Sequence, residues 1–85
     1  MFKQVNNKMK HPVTSLKTGD KGTISHFTDD EVAGKLMSMG ILPGNPVKVV
    51  RIAPFNGGYY LWVDGTNLVL RTEEAQCIIL ESAAT

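Results

Sequence analysis

The feature that most constrains the fold is an abrupt change in hydrophobic periodicity around Gly40. Before this glycine, over residues 29–39, apolar residues recur every three or four positions, which is typical of an amphipathic helix. After it, residues 46–52 are rich in β-branched side chains with a period near two, which is typical of a strand. Gly40 suits the left-handed residue that ends a helix, and Pro43 prevents the helix from resuming. The pattern therefore predicts one helix followed by a series of strands.

The start of this helix carries its own signals. Thr28 and Glu31 have the spacing of a capping box, in which each side chain bonds to the backbone of the other residue. Phe27 and Val32 then occupy the two positions of a hydrophobic staple. These signals predict a helix over residues 29–39 with Thr28 as its N-cap.

The segment after the helix is predicted to form a tight corner. Residues 42–45 fit a type II turn in which Gly44 takes a positive φ, so Gly40, Pro43 and Gly44 are interpreted as structural turn residues. The corner also holds an apolar cluster formed by Leu36, Met37, Met39, Ile41 and Leu42. Core packing explains most of this cluster, but 85 residues can build only a thin core. Part of the cluster is therefore a candidate protein-binding surface.

The remainder of the chain indicates a mainly β protein. Besides residues 46–52, strands are predicted over residues 22–27, 59–63, 68–70 and 77–80, with a single helical turn over residues 72–75. Asn56-Gly57 is a strong hairpin signal, and Asp64-Gly65 marks a second tight turn. About five short strands suggest a small antiparallel barrel, with one α-helix inserted after the first strand.

Length and charge limit the organisation and the partners. We expect one domain over residues 16–81, a polar N-terminal tail over residues 1–15 and a C-terminal tail over residues 82–85. The formal net charge is +1, which argues against a dedicated nucleic-acid binder and against a polybasic membrane anchor. No apolar run approaches the roughly 20 residues of a membrane span, and the N-terminus does not resemble a secretory signal. A cytoplasmic location without membrane insertion is expected.

Neither catalysis nor a cofactor is indicated by the residues. The sequence contains no phosphate-binding glycine loop and no nucleophile elbow, so the protein is not expected to be an enzyme. His26, Asp29 and Asp30 are weak candidates for metal ligands, but acidic residues at a helix start more often serve the cap. Cys77 is the single cysteine, and its apolar surroundings in the sequence suggest a small buried hydrophobe.

Four aromatic residues cluster around one predicted hairpin, and they are Phe55, Tyr59, Tyr60 and Trp62. Strand alternation places Tyr60 and Trp62 on one face and Tyr59 with Leu61 on the other. One face must be core, and the other could bind a peptide or stack on bases. Three basic residues in this part of the chain, Lys48, Arg51 and Arg71, are too few for a nucleic-acid groove, which favours protein binding.

Several motifs together resemble the FeoA family, named after ferrous iron transport protein A. The most specific match is residues 35–49, KLMSMGILPGNPVKV, with its Met-Gly-Ile step, Pro-Gly turn and Val-rich strand. Further steps follow the family's order, namely Leu16-x-x-Gly19, Ala53-Pro54, Asp64-Gly65, Leu68-Val69-Leu70-Arg71 and Glu74-Ala75-x-x-Ile78. The match covers about residues 16–81, which is nearly the whole predicted domain.

The resemblance implies an SH3-like barrel that acts in bacterial ferrous iron uptake. Proteins of this family are thought to bind the cytosolic, GTP-hydrolysing region of the membrane permease, ferrous iron transport protein B (FeoB). On that basis we expect two protein-binding surfaces, the corner after the helix and the aromatic hairpin. The expected contact residues are Lys35, Leu36, Met39, Ile41, Leu42, Phe55, Tyr59, Tyr60 and Arg71, with Lys35 and Arg71 as a polar rim.

Other functions are also compatible with the resemblance. A similar barrel forms the C-terminal domain of iron-dependent transcriptional repressors, where it serves regulation and dimer contacts. Weak self-association and a free-standing role as a metal carrier are further alternatives.

Overall fold

The structure, a computed structural model, describes residues 8–83. The strands are β1 (Lys8–Pro12), β2 (Lys21–Phe27), β3 (Pro46–Ala53), β4 (Gly58–Val63), β5 (Thr66–Leu70) and β6 (Ile78–Ala83). The helices are α1 (Asp30–Ser38) and the single-turn α2 (Thr72–Ala75), and a 3₁₀ turn (Val13–Ser15) follows β1. All strands belong to one antiparallel sheet with the order β1-β6-β2-β3-β4-β5. The predicted class, a small mainly β SH3-like fold with one helix after the first predicted strand, is confirmed.

The sheet has six strands rather than about five, and the additional strand lies in the predicted N-terminal tail. β1 pairs with β6 from Lys8↔Ala83 to Pro12↔Ile79, and Val13 directly after it is fully buried. β6 likewise continues into the predicted C-terminal tail as far as Ala83. The folded unit therefore extends beyond the predicted range of 16–81. The remaining parts of the predicted tails, residues 1–7 and 84–85, lie outside the described residues.

The N-cap of α1 is Asp29, so the predicted Thr28 cap and its capping box are wrong. The Asp29 carboxylate (Oδ2) accepts a hydrogen bond from the Val32 backbone N–H at 2.9 Å. The Thr28 backbone N–H donates instead to the Cys77 carbonyl at 2.9 Å. This bond continues the β2–β6 pairing by one residue, because Phe27 is the last residue that pairs with β6. The helix therefore starts one residue later than the capping-box spacing predicts.

The core lies on the inner face of the sheet, where alternate residues are buried in the first half of β3, in β4 from Tyr59 and in β5 from Leu68. Its members are all apolar: Val13, Ile24, Leu36, Ile41, Val47, Val49, Tyr59, Leu61, Val63, Leu68, Leu70, Ala75, Ile78 and Leu80. Leu36 from α1 completes one side of it, and Ala75 from α2 completes another. Alternation therefore leaves the other face of β3, β4 and β5 open to solvent.

The hairpin between β3 and β4 turns one residue earlier than the Asn56-Gly57 signal predicts. The Gly57 N–H donates to the Pro54 carbonyl at 3.0 Å, and the positive φ angles belong to Phe55 (58°) and Asn56 (57°). These values are those of a type I′ turn with Phe55 and Asn56 at its centre. The second hairpin turn, at residues 64–65, lies where it was predicted.

Candidate protein-binding surfaces

The helix ends in a Schellman motif that fixes the direction of the following chain. The Gly40 N–H donates to the Met37 carbonyl and the Ile41 N–H donates to the Leu36 carbonyl, both at 3.0 Å. Gly40 has φ +84°, which a residue with a side chain adopts only at a cost. In a Schellman motif the two side chains at the positions of Leu36 and Ile41 commonly make a hydrophobic contact. Both side chains are indeed buried in the core.

A second turn, directly after the motif, is closed by a backbone and a side-chain hydrogen bond. The Asn45 N–H donates to the Leu42 carbonyl at 3.1 Å, and the Asn45 side-chain oxygen accepts from the Leu42 N–H at 2.8 Å. Gly44 has φ +96°, as a type II turn requires at this position. Its N–H donates to the Ile24 carbonyl on β2 at 2.7 Å, which ties the turn to the sheet. The segment is thus a rigid part of the fold.

The structure divides the apolar cluster at this corner into core and surface. Leu36 is 0% exposed and Ile41 is 1% exposed, so the prediction that they anchor a partner is wrong for these two residues. Met37, Met39 and Leu42 are each close to half exposed. We call these three side chains the helix corner. Sequence reasoning placed Met39 and Leu42 on a binding surface and weighed Met37 only as part of the cluster.

The two predicted rim residues take part in contacts within the fold. The Lys35 ammonium (Nζ) pairs with Glu74 Oε2 at 2.6 Å, and this ion pair joins α1 to α2. Glu74 Oε1 accepts the backbone N–H of Arg71 at 3.1 Å. The hydrogen bond from Lys35, assisted by that from the Arg71 backbone, lowers the pKa of the Glu74 carboxyl. Lys35 and the Arg71 side chain are nevertheless exposed beside the corner and α2, respectively.

The aromatic hairpin presents one of its predicted contact residues at its tip. Phe55 is 100% exposed in the turn, and Tyr60 is partly exposed on the outer side of β4. Tyr59 points inward and is largely buried, and its hydroxyl donates to the Thr14 carbonyl at 3.3 Å. The structure therefore corrects the prediction that Tyr59 contacts a partner.

The helix corner and the hairpin tip lie at opposite ends of β3. The corner turn precedes Pro46, and the tip follows Ala53. The seven steps between the eight residues of β3, at about 3.3 Å each, separate the two ends of the strand by roughly 23 Å. The two predicted surfaces are therefore separate patches rather than one continuous site.

A third exposed apolar surface lies between these two patches, and the sequence had indicated only the part of it that Tyr60 and Trp62 share. We call it the outer face, and it consists of Val50, Tyr60, Trp62 and Val69 on β3, β4 and β5. Alternation had paired Tyr60 with Trp62 without deciding which side of the strand is core. The sequence signal for the wider surface is the presence of apolar residues at both odd and even positions of these strands.

The weak metal-ligand candidates are not brought together. His26 is exposed, and its Nδ1 lies 3.1 Å from the Ser25 hydroxyl. The Asp29 carboxylate caps α1. Within residues 8–83 no three His, Cys, Asp or Glu side chains are grouped so that they could hold a metal ion. Cys77 is only partly buried, and its thiol lies 3.5 Å from the Glu73 carbonyl.

This architecture defines the chain as a small SH3-like β domain. The model of the FeoA domain matches residues 11–82, and the chain therefore belongs to the FeoA family. The match includes the end of β1, in agreement with the structure. No curated protein matches the chain at a significant level. None of the helices in the described part of the chain is long and apolar enough to cross a membrane.

Solved structures support the same assignment. The crystal structure of an iron uptake regulatory protein (FeoA) is 25% identical, with a TM-score of 0.72, over 85% of this chain and 95% of that one. An FeoA-like protein from Clostridium acetobutylicum is 25% identical, with a TM-score of 0.76, over 89% and 88% of the two chains. A manganese-dependent transcriptional repressor has a TM-score of 0.80 at 21% identity, covering 96% of this chain and 45% of the repressor. At that identity the likeness shows the fold alone, and the repressor-type alternative stays a prediction.

Proposed function

We propose that this chain is a small cytoplasmic accessory protein of ferrous iron uptake that acts by binding another protein and not by catalysis. Its partner in this proposal is the cytosolic, GTP-hydrolysing region of the ferrous iron permease FeoB. Membership of the FeoA family supports the pathway. The similarity to a protein described as an iron uptake regulator supports the regulatory character of the role.

The observation that supports a binding surface here is the exposure of the helix corner on a hydrogen-bonded backbone. Full burial of a Met or Leu side chain contributes about 1.5–3 kcal/mol, so burying the exposed halves of Met37, Met39 and Leu42 is worth roughly 1 kcal/mol each. The turn bonds on both sides of Gly44 already hold this segment in place. Little backbone conformational entropy is therefore lost when a partner covers it.

The hairpin tip offers a second contact in the same proposal. The Phe55 side chain is fully exposed, so it gains the most from burial in a partner's pocket. Lys35 and Arg71 supply the exposed polar rim that commonly surrounds such anchors.

Binding to the purified cytosolic region of the permease, measured by calorimetry, tests the assignment. Leu42→Gln should weaken binding about fivefold, because one half-buried apolar contact is lost. Val69→Gln is the matched control, since Val69 is also about half exposed but lies on the outer face. Its affinity should equal that of the wild type. Unchanged binding by a folded Leu42→Gln variant would remove the helix corner from the interface, and no binding by the wild type would refute the proposed partner.

A further inference from the structure

The outer face is organised in two rows of side chains that cross the sheet. Residues opposite each other in an antiparallel pair share a face, so the strand register fixes each row. The first row consists of Lys21, Lys48, Trp62 and Asn67. The second row consists of Arg51, Tyr60 and Val69. Val50 lies at the bulge between Val49 and Arg51 and is exposed between the rows.

The basic residues of these rows have no acidic partner among the described residues. Lys21 and Lys48 are directly opposite each other in the β2–β3 pair, where like charges destabilise a sheet. Arg51 lies over the Tyr60 ring at 5.5 Å from its centroid, which leaves its charge on the surface. The nearby carboxylate of Asp20 accepts the backbone N–H of Lys17 at 3.0 Å. An anionic group placed between the two lysines would therefore relieve an existing repulsion.

Two shallow hollows lie next to each other on this face. The basic hollow has a volume of about 360 Å³ and is lined by Lys21, Lys48, Val50 and Trp62. The apolar hollow, of about 200 Å³, is lined by Val50, Tyr60, Leu61, Asn67, Leu68 and Val69. Trp62 and Tyr60 belong to adjacent rows and are two residues apart on β4, a spacing of roughly 6.7 Å.

We propose that the outer face binds an acidic peptide segment in an extended conformation. A carboxylate enters the basic hollow, and an aliphatic or aromatic side chain enters the apolar hollow. The row spacing of roughly 6.7 Å equals the separation of residues i and i+2 in an extended chain. The recognised pattern is therefore an Asp or Glu two positions from a large apolar residue, in either order.

Other occupants fit the face less well. Two copies of the chain stacked through this face would bring two sets of like charges into one interface. Single-stranded nucleic acid could stack on Tyr60 and Trp62, but three cations give a short backbone track and the net charge is only +1. The peptide proposal does not depend on the permease, because it uses a different surface from the helix corner.

A display selection on the immobilised full chain tests the proposal. Random twelve-residue peptides are panned against the wild type, and an enriched peptide is then labelled and measured by fluorescence anisotropy. Enriched sequences should contain an acidic residue two positions from an apolar one. Absence of enrichment, or enrichment without acidic residues, would overturn the proposal. So would binding of a labelled dT20 oligonucleotide by the same face without any peptide enrichment.

Matched variants then assign the binding to the basic hollow, which both Lys48 and Trp62 line. Lys48→Gln should lower the affinity for the enriched peptide at least fivefold, and Trp62→Ser should lower it at least tenfold. Circular dichroism should show that both variants are folded. Lys10→Gln makes the same change in charge on β1, three strands away from β3, and should leave the affinity within twofold. Met39→Ser should also have no effect. The loss caused by Lys48→Glu should be restored when the acidic residue of the peptide is replaced by lysine. Equal affinity for the wild type and both outer-face variants would overturn the assignment.

Discussion

Replacing Phe55 with asparagine is expected to stabilise the fold, even though it removes a large apolar side chain. Phe55 occupies the first central position of a type I′ turn with φ +58°. This left-handed conformation is rare for a bulky residue and is well tolerated by asparagine. Because Phe55 is fully exposed, the replacement loses no burial within the fold.

The expected gain follows from these two observations. The left-handed conformation costs an ordinary L-residue about 1–2 kcal/mol, and asparagine recovers part of that cost through local hydrogen bonds. With no burial term opposing it, Phe55→Asn should raise the free energy of unfolding by about 0.5–1 kcal/mol. For a domain of this size, such a gain corresponds to an increase in Tm of roughly 2–8 °C.

Urea unfolding followed by circular dichroism measures this change directly. Tyr60→Asn is the matched control, because it makes a comparable aromatic-to-amide change in the regular strand β4 and should be destabilising. A loss of stability in Phe55→Asn would show that the Phe55 ring packs against the fold, and the argument would then be wrong. If stability rises while affinity for the permease region falls, the side chain serves binding rather than folding.

Two further predictions concern the ends of the helices. Asp29→Ala should lower the free energy of unfolding by about 1 kcal/mol because it removes the cap on the Val32 N–H. Thr28→Ala should change it by no more than about 0.5 kcal/mol. A larger loss for Thr28→Ala than for Asp29→Ala in urea unfolding would show that Thr28 is the N-cap after all. The lowered pKa of Glu74 means that its stabilising effect is present above the ordinary carboxyl pKa and is lost as the pH falls through the folded-state pKa. The stability difference between wild type and Glu74→Gln, less than about 1 kcal/mol for so accessible a pair, should therefore be larger at pH 7 than at pH 3. A difference independent of pH would contradict this account.

At the helix corner, the turn residues could be predicted from the sequence, but the burial of the neighbouring side chains could not. Gly40 and Gly44 were identified because their backbone angles are local properties that the residue type reveals. The division of the neighbouring cluster into core and surface was not predicted, because periodicity alone does not say how the chain turns after the helix. A usable signal was nevertheless present. With Gly40 as the left-handed residue, the Schellman motif pairs Leu36 with Ile41, and that pair is the buried one.

Two local signals were displaced by one residue, and strand pairing explains both shifts. The β2–β6 ladder uses the backbone of Thr28, so the helix cap passes to Asp29. In the β3–β4 hairpin, Ala53 pairs with Gly58, so the turn is centred on the two residues before Gly57. Tertiary hydrogen bonds thus override a favourable local motif when a motif of similar quality lies next to it.

The strand β1 could not be predicted from alternation. Its sequence, KMKHP, has no apolar period, because an edge strand is held mainly by backbone bonds to one neighbour. Val13 directly after it is fully buried, although it was predicted to lie in the polar tail.

The exposed surfaces of this domain differ in how well their residue types suit the local backbone conformation and strand pairing. At the helix corner every local choice is consistent with the backbone, since both glycines lie where positive φ is needed. Along the β3–β4 hairpin the choices conflict with stability, because Phe55 adopts a left-handed conformation and Lys48 faces Lys21. Such conflicts are characteristic of residues retained for binding. A partner that contacts both ends of β3 must span roughly 23 Å, which requires a folded domain, whereas the outer face between them is matched in size to a short extended segment. The two proposed ligands therefore differ in kind.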